Sequence, residues 1–252
     1  MTQAPFLTDA GEPRAFVIVS SARSGSNLLV AYLRQVARAA CFGEILRDRF
    51  PDKPGWDKFV KRLDMPPDAR RLHREDLTAF WELFLAQGLR QRQWLGAKAF
   101  YYHRGSDAVW DRFAAEDHRV LHLWRDATFD QYVSRLLAFQ SGEWKAGDGS
   151  GAEPRVTFDR EEYLGYREAL LAGIEATRAR YGGSERYVDL EYRQLSDHAF
   201  VEDMLERLFG ERLDVREGLR RQRGRPKIHY LTNPAEAEPF AADSIREGFA
   251  TR

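Results

Sequence analysis

Residues Ala15–Leu33, AFVIVSSARSGSNLLVAYL, constrain this chain more than any other stretch. Ala15 to Val19 form an apolar, largely β-branched run, and Leu28, Leu29, Ala31, Tyr32, Leu33, Val36 and Ala37 return at helical intervals. The pattern reads as a buried strand, a tight turn of small residues and an amphipathic helix. Such a junction has a chemistry of its own. The first turn of a helix carries N–H groups without intrahelical partners and the positive end of the dipole. A turn of Ser and Gly lets an anion approach those amides without meeting a Cβ. Ser24, Ser26, the Asn27 amide and the Arg23 guanidinium add donors suited to phosphate or sulfate. The alternative is an ordinary strand–helix turn with a capping serine.

The nucleoside-triphosphatase loop, G-x-x-x-x-G-K-[ST], is absent, because Ser26 and not a lysine follows Gly25. The RSGS turn instead resembles the 5′-phosphosulfate loop of sulfotransferases, in the form found in the bacterial carbohydrate enzymes of the trehalose and nodulation-factor type. The resemblance implies 3′-phosphoadenosine-5′-phosphosulfate as sulfuryl donor, with Arg23, Ser24, Gly25, Ser26, Asn27 and Leu28 around its 5′ end. A second stretch, WRDATFDQYVSRLLAFQ, resembles the same branch. There Arg125 ends a strand and Ser134 lies on the following helix, and the resemblance gives both to the donor's 3′-phosphate. Their nine-residue interval is one longer than the commonest family pattern. Both constellations close buried strands, where doubly wound sheets take ligands. Two anion sites on one sheet edge call for a nucleoside phosphorylated at both ends.

Charge and composition narrow the alternatives. With 39 basic and 39 acidic residues, no overall field argues for nucleic acid or an anionic membrane. The single cysteine, Cys41, excludes an intramolecular disulfide and fits a reducing compartment. It reads as a small buried hydrophobe, with a nucleophile as the alternative. No signal peptide stands at the start, and no apolar run approaches the ~18 residues of a spanning helix. The expectation is a soluble, cytoplasmic protein. The six histidines show no metal-ligand spacing, and no metal is expected. His118 and His122 fall on one face of a strand with Val120 between them.

Along the chain, Glu44 sits beside Gly43 between two apolar stretches, a surface glutamate or a functional one. The resemblance makes it the base toward an acceptor hydroxyl. Residues 56–63 read as a short helix ended by Pro66-Pro67, and His73–Arg92 as one long helix with Leu77, Phe80, Trp81, Phe84 and Leu85 as core. Leu95–Tyr101 reads as a strand holding Lys98, which is either edge-exposed or matched by an anion or carboxylate. His103 follows it, a structural histidine or a second candidate base. Ser106–Glu116 reads as a helix capped by Ser106, Arg119–Trp124 as a third strand, and Thr128 opens the next helix. Lys145–Arg155, with three glycines and a proline, reads as a loop, a lid over the acceptor or disordered. A helix over Glu161–Tyr181, a strand over Arg186–Leu190 and a helix over Phe200–Phe209 capped by Asp197 complete the pattern. Beyond Gly218, Arg220, Arg221, Arg223, Arg225 and Lys227 concentrate positive charge. This is a solvated face or, by resemblance, a segment in which Arg225 and Lys227 fold over the 3′-phosphate.

These readings converge on an α/β fold in a single domain over residues 1–252, with 1–14 flexible and 218–252 an irregular basic segment. A central parallel sheet of four to five strands carries helices on both faces, a P-loop-like sulfotransferase fold by resemblance. The function it implies is sulfuryl transfer from 3′-phosphoadenosine-5′-phosphosulfate to a hydroxyl of a carbohydrate or natural-product acceptor. Glu44 or His103 would serve as base, with Lys98 and Arg23 stabilising the leaving oxygen. The rivals are a P-loop-type small-molecule kinase using ATP and an inactive nucleotide-binding module. The acceptor and the oligomeric state stay open.

Overall fold

The computed structural model describes residues 14–103, 107–115, 117–142, 154–210, 212–216 and 226–243. Five parallel strands, β1 (Ala15–Ser20), β2 (Ala39–Cys41), β3 (Trp94–Phe100), β4 (His118–Trp124) and β5 (Tyr187–Glu191), lie in the order β2-β3-β1-β4-β5. β1 is the centre, with Ile18 opposite Lys98 of β3 on one side and Leu121 of β4 on the other. Its six residues are all buried, which is why it reads as a continuous apolar run and not an alternating one. The close approach of β3 to β1 requires Gly96, where a Cβ would overlap the Phe16 ring and carbonyl.

The helices cover both faces. Phe16, Ile18, Leu121, Leu123 and Leu190 form one face, packed with α1 (Ser26–Leu33) and α8 (His198–Phe209). Ala15, Val17, Val19, Ala97, Ala99 and Val120 form the other, under α2 (Gly55–Leu63), α3 (Ala69–Glu75), α4 (Leu77–Gly88) and α5 (Asp107–Arg112). Trp124 continues this second face to Leu171 and Ile174 of α7 (Arg160–Tyr181). A third cluster joins α7 to α6 (Thr128–Ser141) through Phe129, Tyr132, Phe158 and Tyr163.

Local chemistry explains where the elements differ from expectation. The helix expected over His73–Arg92 is two helices. Asp76, at φ −146° and ψ 88°, ends α3, and its carboxylate accepts the Ala79 N–H at 2.9 Å to cap α4. α1 stops at Leu33, and a tight turn with Gln35 N–H on the Tyr32 carbonyl at 2.9 Å still buries Val36. β2 was not expected, since three residues carry no period. The other boundaries shift by a few residues at most; Ser106 and Glu116, ends of the expected fourth helix, lie outside the described residues. So do residues 145–153 of the glycine-rich loop and the basic run from Arg220 to Arg225. Among the described residues, no helix is long and apolar enough to cross a membrane, and no group of His, Cys, Asp and Glu is arranged to hold a metal ion.

Candidate active site

Because the strands are parallel, all five C-terminal ends open on one edge of the sheet. The chain that follows β1 carries Arg23–Asn27, and the chain after β2 carries Glu44. His103 follows β3, Arg125 follows β4 and Tyr192 follows β5. The edge lies where connections leave β1 and its neighbours in opposite directions, the place where such sheets bind ligands.

The turn after β1 departs from ordinary backbone. Arg23 has φ +64° and Gly25 φ +95°, both left-handed, and no side chain caps α1. Alternation of left- and right-handed residues turns successive N–H groups toward one concavity. The Leu28 N–H is bonded to the Gly25 carbonyl at 2.9 Å. Its side chain is half-buried, against the α1 and α8 face. Ser24 and Ser26 are buried, and Ser24 Oγ has no hydrogen-bond partner.

Lys98, mid-strand on β3 between β2 and β1, is 5% exposed and so is buried, not edge-exposed. Its ammonium donates to Asn27 Oδ1 at 2.9 Å and lies 3.5 Å from Glu44 Oε1. The other carboxylate oxygen of Glu44 is 4.0 Å from His103 Nε2, too far for a hydrogen bond. His103 Nδ1 accepts the Phe100 N–H at 3.1 Å, so in the neutral ring the proton is on Nε2. Burial, then the charges of Arg47 and Lys98, lower its pKa to about 3 and keep it neutral.

At the other end, Arg125 and Ser134 are bonded to different partners. Arg125 pairs with Asp130 at 3.0 Å, whereas Ser134 Oγ accepts Arg23 Nε–H at 2.9 Å. Ser134 therefore ties α6 to the β1 turn across 111 residues of sequence. Gln131 reinforces the tie by donating to Ser21 Oγ at 2.6 Å and to the Ala22 carbonyl at 2.7 Å. Lys227 lies on a short turn packed against α6, its ammonium 5.4 Å from the Tyr230 ring. Arg225 falls outside the described residues. Cys41 is buried, and burial pushes its thiol up to about 12, which removes it as a nucleophile.

Residues 15–178, more than half of the chain, match the family described as Stf0 sulphotransferase. The chain belongs to the Stf0 sulphotransferase family. Among solved structures it is similar to the sulfotransferase domain from the Synechococcus PCC 7002 olefin synthase. That domain is 15% identical, with 93% of this chain and 90% of that one covered and a TM-score of 0.54, a likeness of fold. TT1252 from Thermus thermophilus is 17% identical over 71% of this chain and 88% of its own, at a TM-score of 0.34 that bears no argument. No curated protein matches the chain.

For a member of the Stf0 family, two further residues of this edge stand out that sequence patterns did not single out for function. Tyr192 lies across the site: a Cβ on Gly25 would overlap its ring, and the Arg125 guanidinium stands 5.0 Å above the same ring. One aromatic ring thus touches both the β1 turn and the arginine after β4. Its signal in sequence was only its place directly after β5. Tyr166, on α7, has a buried hydroxyl without a hydrogen-bond partner. Burial raises its pKa, and the Arg135, Arg125 and Arg23 charges act in the opposite direction.

Proposed function

We propose that this sulfotransferase moves a sulfuryl group from 3′-phosphoadenosine-5′-phosphosulfate to a hydroxyl of a small-molecule acceptor, of the carbohydrate or natural-product class. The observation that carries the proposal is the position of Lys98. A single buried cation bonds to Asn27 of the β1 turn and faces the Glu44 carboxylate. It therefore joins an anion cradle to a candidate base.

In this reading the β1 turn, Arg23 and Ser24–Asn27, holds the 5′ end of the donor. The orphaned Ser24 hydroxyl and the left-handed Gly25 fit that role. Arg125, over Tyr192, takes the 3′-phosphate. Ser134 acts on the donor together with Arg23, to which it is bonded. Arg225 and Lys227 stay candidates for the same phosphate. Glu44 accepts the acceptor's hydroxyl proton as its oxygen attacks sulfur in line. The new O–S bond forms while the bond between sulfur and the 5′-phosphate oxygen breaks, and adenosine 3′,5′-bisphosphate leaves. Lys98 and Arg23 stabilise the charge growing on that oxygen. His103 has no lone pair to offer as base, because Nδ1 holds the Phe100 amide and Nε2 carries the ring proton. It is a positioning residue, its Nε2 4.0 Å from the Glu44 carboxylate.

The test is mass spectrometry of an acceptor library incubated with the donor. The expected result is a gain of one sulfuryl group without added metal. Binding of the bisphosphate without transfer to any acceptor would favour an inactive nucleotide-binding module. Transfer from magnesium–ATP instead would establish a kinase.

A further inference from the structure

The acceptor side of this edge is built differently from the donor side. Tyr102 is 63% exposed, in a molecule whose large apolar side chains are mostly buried. Its ring stands edge-on to His103, with centroids 5.4 Å apart at 87°, and 5.5 Å from Phe100. Since His103 faces Glu44, an open aromatic face borders the candidate base. Such a face suits the apolar side of a sugar or an aromatic ring.

The cations whose charge acts on Tyr102 or His103 are not equivalent. Lys98 is committed to Asn27 and Glu44. Arg135 lies between the Phe139 and Tyr166 rings at 5.1 and 5.3 Å and is paired with Glu162 at 3.3 Å. Arg47 differs. Its N–H is bonded to the Glu44 carbonyl at 3.2 Å, which places it one turn beyond the base. It is exposed, and among the described residues no carboxylate lies within ion-pair distance of its guanidinium. Its charge reaches both Tyr102 and His103.

We propose that Tyr102 and Arg47 form an acceptor subsite selecting a hydroxylated ring that bears an anionic substituent, a carboxylate or a phosphate. The ring lies on Tyr102, the anion meets Arg47, and the hydroxyl to be sulfated faces Glu44. This rests on the sulfotransferase reading and adds the class of acceptor to it. Arginine suits the task because its fork matches a carboxylate or phosphate in two bonds.

Matched acceptors test it: methyl glucoside against methyl glucuronide, and 4-ethylphenol against 4-hydroxyphenylacetate. Initial rates give kcat/KM for each, and calorimetry gives binding to enzyme saturated with adenosine 3′,5′-bisphosphate. The anionic member should be favoured by about tenfold in at least one pair, the scale of one charge-assisted contact. Arg47→Ala should abolish that ratio and Arg47→Glu invert it. Tyr102→Ala should weaken both members alike, and Tyr102→Phe should restore them. A preference for the neutral member in both pairs overturns the proposal, as does a ratio that survives Arg47→Ala. So does the absence of any acceptor binding or turnover while the bisphosphate still binds. Loss of bisphosphate binding by the unaltered enzyme would strike the donor reading itself, and the subsite with it.

Discussion

His118, where β4 begins, and His103, just past the end of β3, are both buried and both held neutral by that burial. Their surroundings differ. Around His118 the polar groups close on one another. Trp81 donates to Nε2 at 2.8 Å, Nδ1–H donates to Asp117 at 2.7 Å, and Arg112 grips Asp117 with two nitrogens at 2.6 and 2.7 Å while also binding Glu82. Around His103 they stay open. Its Nε2, Ser20 Oγ, Ser24 Oγ and Tyr166 Oη are buried without hydrogen-bond partners. An unsatisfied buried polar atom costs about 1–3 kcal/mol, so a cluster of them at one sheet edge marks where a ligand is to supply the partners. A closed network marks a staple. Cavity size is a poorer guide: an opening of about 260 Å³ lies at the His118 end, against Phe113, Tyr181 and Tyr187.

The contrast is open to attack from both ends. Glu44→Gln should lower kcat by about 10²–10⁴-fold at saturating donor, with bisphosphate affinity retained, as expected for loss of a general base. His103→Ala should reduce activity less; a reversed order would make His103 the base. At the closed end, Asp117→Ala should cost about 2–4 kcal/mol of stability in denaturant titration, because it removes the carboxylate that Arg112 and His118 share while Arg112 keeps Glu82, and activity per folded molecule persists. Burial alone would raise the Asp117 carboxyl, but the hydrogen bonds and charges of Arg112 and His118 hold it well below its usual range. Its contribution is therefore complete above the ordinary carboxylate pKa and lost as pH falls through the lowered one. Stability measured against pH should drop earlier for another reason: His103 and His118, whose folded pKa values are lowered, stop favouring the native state once pH falls below about 6.5, the unfolded value. Arg125→Ala should weaken bisphosphate binding by about 2–4 kcal/mol. Tyr192→Ala should weaken it by about 1–2 kcal/mol and Tyr192→Phe hardly at all, because the ring face and not the hydroxyl meets Arg125. Ser134→Ala should cost about 1 kcal/mol of donor affinity by releasing Arg23.

What could be read from sequence follows the range of the interactions. The β1–turn–α1 junction was legible because strand, turn and helix signals are consecutive, and the parallel sheet because its strands are continuous apolar runs. The break at Asp76 was missed because a lone aspartate also suits the solvent face of a long helix, although the stripe begins only at Leu77 and the capping aspartate was there to be read. Lys98 could be singled out as a charge in a buried strand, but not its partners, which come from the turns after β1 and β2. The bond between Arg23 and Ser134 spans 111 residues and exists only once α6 packs against the β1 turn. Tyr192 had no pattern of its own; the 3₁₀ turn over Tyr192–Ser196 carries its ring onto Gly25.

The central claim is that one sheet edge carries two anion sites spaced for a nucleoside phosphorylated at both ends. Calorimetry without magnesium tests it most directly, comparing adenosine 3′,5′-bisphosphate with adenosine 5′-phosphate on the unaltered enzyme and on Arg125→Ala. The bisphosphate should bind at least about tenfold tighter, the worth of one charge-assisted phosphate contact, and Arg125→Ala should erase the difference. Equal affinities for the two nucleotides on the unaltered enzyme would contradict the account.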